Sequence, residues 1–458
     1  LIRKLIISAG AAGFLLILAT PPPEGLTLPG WRAAGLFVLA LSLWSTTALP
    51  LAVTSLLVLA LLPLIGVMDA SQAFSLFGNR AVFFILGAFI LAAAMMRTGL
   101  SRRLALFFLH RFDRSPGVLL LGILLSSAFL SFWMPEHAVA AMMFPLVMEI
   151  ARELGLKPLK TNYGKSLFLC MSWGAIIGGV ATFLGGARNP LAVGMLQETY
   201  GLSIGFFQWM RAVVPVVVVM LGVAWLLQRL FFPPDIRDVS SARRELAREL
   251  GDIGPLTAAE KKVGGIMLLT VAAWIFLGHN SGLAEIALLA AVLLFASGAV
   301  KWREVEGYIN WGVILMYGGA IALGEALSRT GAAAWFAGLI LNGADLSPVL
   351  LVALVSGMTL VLTECISNAA AVAIMLPVGF GLGDSLGVNP VLMVFMVAVP
   401  SGLAFVLPIG TPPNAIAYSS GYYRMGDVIK PGIVMVVVAW LLFNLAVKWY
   451  WPLVGIVM

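Results

Sequence analysis

Two apolar stretches of this chain are each too long for one membrane helix, each carries polar residues at its middle, and the two are copies of one another. Thr363-Glu364-Cys365-Ile366-Ser367-Asn368-Ala369, continuing to Pro377, aligns without a gap on Ser131-Phe132-Trp133-Met134-Pro135-Glu136-His137, continuing to Pro145, at an offset of 232 positions. The same offset carries Arg97-Thr98-Gly99 onto Arg329-Thr330-Gly331 and Ser115-Pro116 onto Ser347-Pro348. The chain is therefore an internal duplication. A single helix over 116–148 or 348–380 would run roughly 50 Å through a hydrocarbon core of about 30 Å. The polar break leaves two arms of roughly 14 to 16 residues, which suit a re-entrant hairpin that enters and leaves on one side.

A membrane is required because 61% of the 458 residues are hydrophobic and 11% are charged, where a soluble domain carries roughly a quarter charged residues. Apolar runs are continuous rather than alternating, which excludes a β-barrel. The fold class expected is an all-α polytopic membrane protein with two re-entrant hairpins in an inverted-topology repeat. Spans are expected at 5–20, 31–48, 50–67, 80–97, 166–195, 206–230, 262–279, 283–299, 311–328, 391–420 and 431–450, about eleven crossings. The net charge of +7 lies in the loops between them. It sets orientation and does not mark a nucleic-acid partner. Cys170 and Cys365 have no paired spacing, so neither a disulfide nor a zinc site is expected.

The spans 166–195 and 391–420 are also too long and also broken, at Gly185-Gly186-Ala187-Arg188-Asn189-Pro190 and at Pro408-Ile409-Gly410-Thr411-Pro412-Pro413-Asn414. Asn189 and Asn414 correspond at an offset of 225. Gly and Pro there release backbone carbonyls and amides from the helix ladder, where an ion can use them.

The chain divides into a first span (1–30), a first repeat (31–230; hairpin 116–150, broken helix 166–195), a cytoplasmic linker (231–261) and a second repeat (262–458; hairpin 347–381, broken helix 391–420). Arg97, Arg102, Arg103, Arg111 and Arg114, with Arg152, Lys157, Lys160 and Lys165, put both ends of the first hairpin in the cytoplasm. The counterparts of Arg102, Arg103, Arg111 and Arg114 are Ala334, Trp335, Gly343 and Leu346, none of them charged, so the second copy is upside down. The N-terminus is then cytoplasmic and the C-terminus outside. The linker holds an Arg- and Glu-rich run from Ser240 to Leu250, expected as a solvated amphipathic helix. Segments 99–113 and 331–343 suit helices lying flat at the interface.

Paired broken helices and opposed hairpins in an inverted repeat form the architecture of a secondary transporter, with its site where the four breaks meet. Thr363, Ser367 and Asn368 offer oxygens that suit a hard monovalent cation such as Na⁺, and helix N-termini at the breaks offer amides to an anion. In an unbroken membrane helix the same residues would serve as packing glue.

On Ser367-Asn368-Ala369 and Leu407-Pro408-Ile409-Gly410-Thr411-Pro412-Pro413-Asn414-Ala415-Ile416, the chain resembles, over nearly its full length, the divalent anion:sodium symporter (DASS) family of di- and tricarboxylate and sulfate transporters. The resemblance implies a homodimer in a bacterial plasma membrane, each protomer moving a transport domain as an elevator. It implies a Na⁺ site at Thr363, Ile366, Ser367, Asn368, Ile409 and Gly410, and substrate contact by Asn368, Ala369 and Thr411. Pro412, Asn414, Asn189 and Ser367 belong to the same candidate anion site. No organic cofactor is implied.

The first tip departs from that family. Pro135-Glu136-His137 stands where the family has Ser-Asn-Thr, leaving Ser131, Glu136 and Gly185 as an altered site for Na⁺ or H⁺. A buried carboxylate beside a dianion must bind a cation, take a proton, or pair with His137 or Arg188. Arg188 either reads the substrate or pairs with Glu136. Coupling to H⁺ and anion exchange are therefore kept beside Na⁺ symport. A membrane-embedded enzyme is the rival of another class. His110, His137 and His279 are too scattered for a metal motif, and Gly164-Lys165-Ser166 lacks the first glycine of a phosphate loop, Leu159 standing there. Glu364 reads as a supporting partner of the second site, and Glu149 and Glu325 as packing or interface groups.

Overall fold

The computed structural model describes residues 2–278, 282–341 and 346–458. His279 and the end of the segment 331–343 lie outside them. After α1 (Ile2–Ala19), the first copy runs α2 (Leu28–Thr46), α3 (Leu51–Leu64), α4 (Ala70–Ser75), α5 (Arg80–Thr98), α6 (Leu100–Arg111), α7 (Pro116–Ser131), α8 (Glu136–Glu153), α9 (Asn162–Gly179), α10 (Arg188–Tyr200) and α11 (Phe206–Phe231). The linker forms α12 (Ser240–Asp252). The second copy runs α13 (Ala258–Phe276), α14 (Leu283–Ala296), α15 (Trp302–Val305), α16 (Trp311–Arg329), α17 (Ala332–Leu341), α18 (Pro348–Cys365), α19 (Asn368–Leu386), α20 (Pro390–Ala398), α21 (Pro412–Ser419) and α22 (Met425–Leu445). Among the described residues there is no strand.

Chemistry at the element ends fixes where the helices begin. Asn79 and Asn310, one position out of register between the two copies, each cap the helix that follows by accepting a backbone N–H, from Ala81 and Val313. Pro116 and Pro348 open the two hairpins at the first helical position, where no N–H is needed. Among the described residues, six helical runs, including Phe206–Phe231, Trp311–Arg329 and Asn368–Leu386, are long and apolar enough to cross a membrane. The arms of the second hairpin, 18 and 19 residues, exceed the length expected. Its tip is only Ile366–Ser367, so α18 continues to the edge of the turn, and α19 carries Pro377 inside a helix that runs on to Leu386.

The two copies pack about a pseudo-twofold axis. A β-carbon at Gly87 would lie 2.7 Å from Ala287 Cβ, and one at Gly319 would lie 2.5 Å from Ser55 Cβ. Each of these four positions is the 232-shifted mate of another, so α5 meets α14 as α16 meets α3. The absent side chains let the backbones approach closely, as small residues do in membrane interfaces. Gly319→Ala is expected to lower stability by about 1–3 kcal/mol through overpacking against the Ser55 backbone, 2.6 Å from the new carbon. Gly222→Ala in α11, with nothing near, should not lower it. Thermal unfolding of the two purified variants separates the outcomes, and an undisturbed Gly319→Ala would contradict the packing.

The linker helix α12 buries Ala242 and Leu246. Arg102 pairs with Glu249 at 3.3 Å and Arg103 with Glu260 at 2.7 Å, tying α6 to the linker and to the start of α13. Ser241 Oγ donates to Glu153 O at the end of α8. The amphipathic helix expected there exists, and it is docked along one face.

Candidate functional site

Each hairpin tip lies against the break of its own repeat. In the first, the Glu136 N–H donates to Gly185 O at 2.9 Å, and a β-carbon at Gly185 would come within 2.3 Å of Ser131 O. In the second, a β-carbon at Gly410 would sit 3.1 Å from Thr363 O and 3.0 Å from Glu364 O. Gly185 and Gly410 are equivalent, as are Ser131 and Thr363. Only glycine allows the break to approach the tip this closely.

The breaks are held open by their asparagines. Asn189 Nδ2 donates to Gly179 O and Thr182 O, at 3.3 and 2.7 Å. Asn414 Nδ2 donates to Ala404 O and Leu407 O, at 3.0 and 3.3 Å. Every partner in one break is the 225-shifted mate of its partner in the other. Asn189 and Asn414 therefore do not line the cavity. Their amides replace the helix ladder that the breaks give up.

The second break has a further clamp. Glu364 receives the Phe405, Val406 and Leu407 amides on its two oxygens at 2.7 to 3.1 Å. Beside it, Thr363 Oγ1 lies 3.0 Å from Asn368 Oδ1 and in short contact with Ser401 O. These three oxygens share one hydroxyl proton, and a hydroxyl donates once. The surplus of lone pairs suits a hard monovalent cation. Ser401 was not apparent as a site residue, since its carbonyl reaches Thr363 only through the fold.

The tips then meet each other on the pseudo-twofold axis. Asn368 Nδ2 donates to Glu136 Oε1 at 2.9 Å, and residues 136 and 368 are the same position of the two copies. Arg188 Nη1 pairs with that oxygen at 3.0 Å, and Thr411 Oγ1 donates to it at 3.2 Å. Arg188 therefore pairs with Glu136, one of the two alternatives its position allows. Glu136 Oε2, Ser131 Oγ, Asn189 Oδ1 and Arg188 Nε and Nη2 are buried with no hydrogen-bond partner among the described residues.

A cavity of about 650 Å³ opens beside this cluster. Of the predicted residues, Glu136, His137, Gly185, Arg188, Ser367, Asn368, Ala369, Ile409, Gly410, Thr411 and Pro412 line it, while Thr363, Ile366 and Ser131 lie behind the wall. Leu51, Asn310 and Val313 also line it. Another cavity, about 370 Å³, lies against Phe84 and Phe183, where the charged residues are the exposed pair Arg80 and Glu285. It has no comparable convergence of buried polar groups.

The family described as the sodium:sulfate symporter transmembrane region matches residues 3–457. The sodium-dependent dicarboxylate transporter SdcS of Staphylococcus aureus is 32% identical over 96% of this chain and 90% of its own length. Among solved structures, the YdaH transporter of Alcanivorax borkumensis superposes with a TM-score of 0.59 at 15% identity, over 84% of this chain and 90% of that one. Neisseria gonorrhoeae MtrF does so with a TM-score of 0.60 at 13% identity, over 96% and 94%. These two likenesses bear on the fold alone.

Proposed function

The chain belongs to the sodium:sulfate symporter transmembrane family, and from that premise we propose that it carries a small divalent anion, a di- or tricarboxylate or a sulfate-like ion, across the membrane by Na⁺-coupled symport. The enzyme reading is set aside, since the matched family and the SdcS relative are transporters. The observation that carries the proposal is the oxygen cluster behind the second tip. Na⁺ seats among Thr363, Asn368 Oδ1 and the backbone around Ile366, Ser367, Ile409 and Gly410, and Asn368 Nδ2 faces the anion. One amide group thus touches both ions, its oxygen toward the cation and its nitrogen toward the anion. Filling the first fixes the orientation needed by the second, which is positive coupling between the sites.

The anion lies in the cavity against Asn368, Ala369 and Thr411, with His137, Ser367 and Pro412 on the walls. Under the charge-based orientation, the lining residues Leu51, Asn310 and Val313, at the starts of α3 and α16, are at the cytoplasmic end, which favours a site that opens inward. Alternating access follows from movement of the hairpins and breaks as one body, an elevator in each protomer of a homodimer in a bacterial plasma membrane. Paired with Arg188, Glu136 needs no proton to be neutralised, which favours Na⁺ over H⁺ as the coupling ion.

Uptake of labelled succinate, citrate and sulfate into proteoliposomes, with Na⁺ and H⁺ gradients imposed separately, tests this. A Na⁺ gradient is expected to drive accumulation. Thr363→Val and Asn368→Ala should each raise the Na⁺ needed for half-maximal uptake about tenfold, the size of one lost charge-assisted contact. Accumulation driven by H⁺ alone and lost in Glu136→Gln would overturn the reading, as would self-exchange indifferent to both gradients.

A further inference from the structure

The donors that converge at the centre of the cavity already hold a carboxylate, and it belongs to the protein. Glu136 Oε1 is met by the Arg188 guanidinium from α10, the Asn368 amide from α19 and the Thr411 hydroxyl just before α21. A guanidinium, an amide and a hydroxyl aimed at one oxygen make a carboxylate subsite. Its occupant is fixed. Arg188 is 2% exposed, and its guanidinium lies in a slot between Gly186 and Gly402, where β-carbons would come within 2.4 and 2.1 Å of it. Glu136 Oε2 rests against Gly179, where a β-carbon would come within 2.5 Å. Separating such a buried pair leaves two uncompensated charges, so neither partner leaves for an incoming anion.

His137, Ser367 and Ala369 line the cavity, and Asn368 Nδ2 carries a second proton besides the one it gives to Glu136. We propose that Glu136 is a resident carboxylate that fills one anion subsite and so sets the charge of the cargo, admitting anions with two charged groups and refusing a third. This deepens, and rests on, the reading of the chain as a symporter of small anions. A third carboxylate in the cavity would lie beside Glu136, whose Oε1 already engages Arg188 Nη1, Asn368 Nδ2 and Thr411 Oγ1, and like charges in a buried site repel strongly. The pseudo-twofold mate of Glu136 is the neutral Asn368, which offers donors where Glu136 consumes them.

Two readouts on the purified full-length protein test this. In Glu136→Ala the emptied subsite should take formate, so formate raises the unfolding temperature of that variant and not of the wild type, and the effect disappears in Glu136→Ala with Arg188→Ala. In proteoliposomes the citrate-to-succinate uptake ratio should rise about tenfold in Glu136→Ala and in Glu136→Gln, because each removes one negative charge from the site. A Glu136→Ala protein indifferent to formate, with an unchanged ratio, would overturn the proposal. Should Glu136→Ala not fold, Glu136→Gln fills the same volume, and its ratio alone decides, a rise supporting the proposal and no change overturning it. If no variant takes up any carboxylate, the transport reading fails, while the formate response still decides whether Glu136 occupies a carboxylate subsite.

Discussion

Arg188→Ala is expected to destabilise the folded protein by about 3–5 kcal/mol, the cost of leaving a buried carboxylate without its partner. Arg188 is 2% exposed and Glu136 5% exposed, so water cannot replace the lost cation. The remaining donors to Glu136 Oε1, Asn368 and Thr411, are neutral and do not offset a full charge. The double variant Glu136→Ala with Arg188→Ala removes both charges and should be less destabilised than Arg188→Ala alone. Thermal unfolding of the single and double variants closes the cycle. Additive effects would mean that the 3.0 Å contact does not carry the interaction. Uptake should fall with stability in Arg188→Ala, because the pair joins the first break to both tips.

Glu364→Ala is expected to have the next largest effect. One carboxylate holds the amides of Phe405, Val406 and Leu407, which have left the helix ladder. Removing it leaves each amide without its acceptor, at about 1–3 kcal/mol for each one that stays dry. The same break carries Ser401, Gly410 and Thr411, so its loosening should also disperse the oxygens around Thr363 and weaken the response of uptake to Na⁺. Glu364→Gln keeps one acceptor oxygen and should fall between wild type and Glu364→Ala. Uptake as a function of Na⁺, with unfolding temperatures alongside, reads both parts. A Glu364→Ala protein with wild-type Na⁺ dependence would show that the clamp and the cation site are independent.

Much of the site was legible in the sequence because each part of it violates a local rule. A polar tripeptide inside an apolar run, and Gly and Pro inside a span, are conspicuous without any fold, and they marked both tips and both breaks. Doubling sharpened the signal, since Asn189 and Asn414 stand at equivalent places in two breaks. Their role was less legible. They were expected at the anion, yet both amides bind carbonyls of their own break. A polar side chain at a break has two possible customers, the ligand and the released backbone, and sequence does not distinguish them.

From the sequence alone came the duplication, the broken hairpins and helices, the residues at the tips and the departure of the first tip, because these depend on spacing along the chain and on the chemistry of single residues. The tertiary structure alone decided that Glu136 meets its own mate Asn368, that Arg188 pairs with it instead of standing free, and that Ser401 and Gly402 shape the site from a turn with no polar motif. Those contacts join residues 38 to 275 positions apart. Glu136 meets Asn368 because two copies fold about a pseudo-twofold axis that brings equivalent positions together, and such an axis is a property of packing.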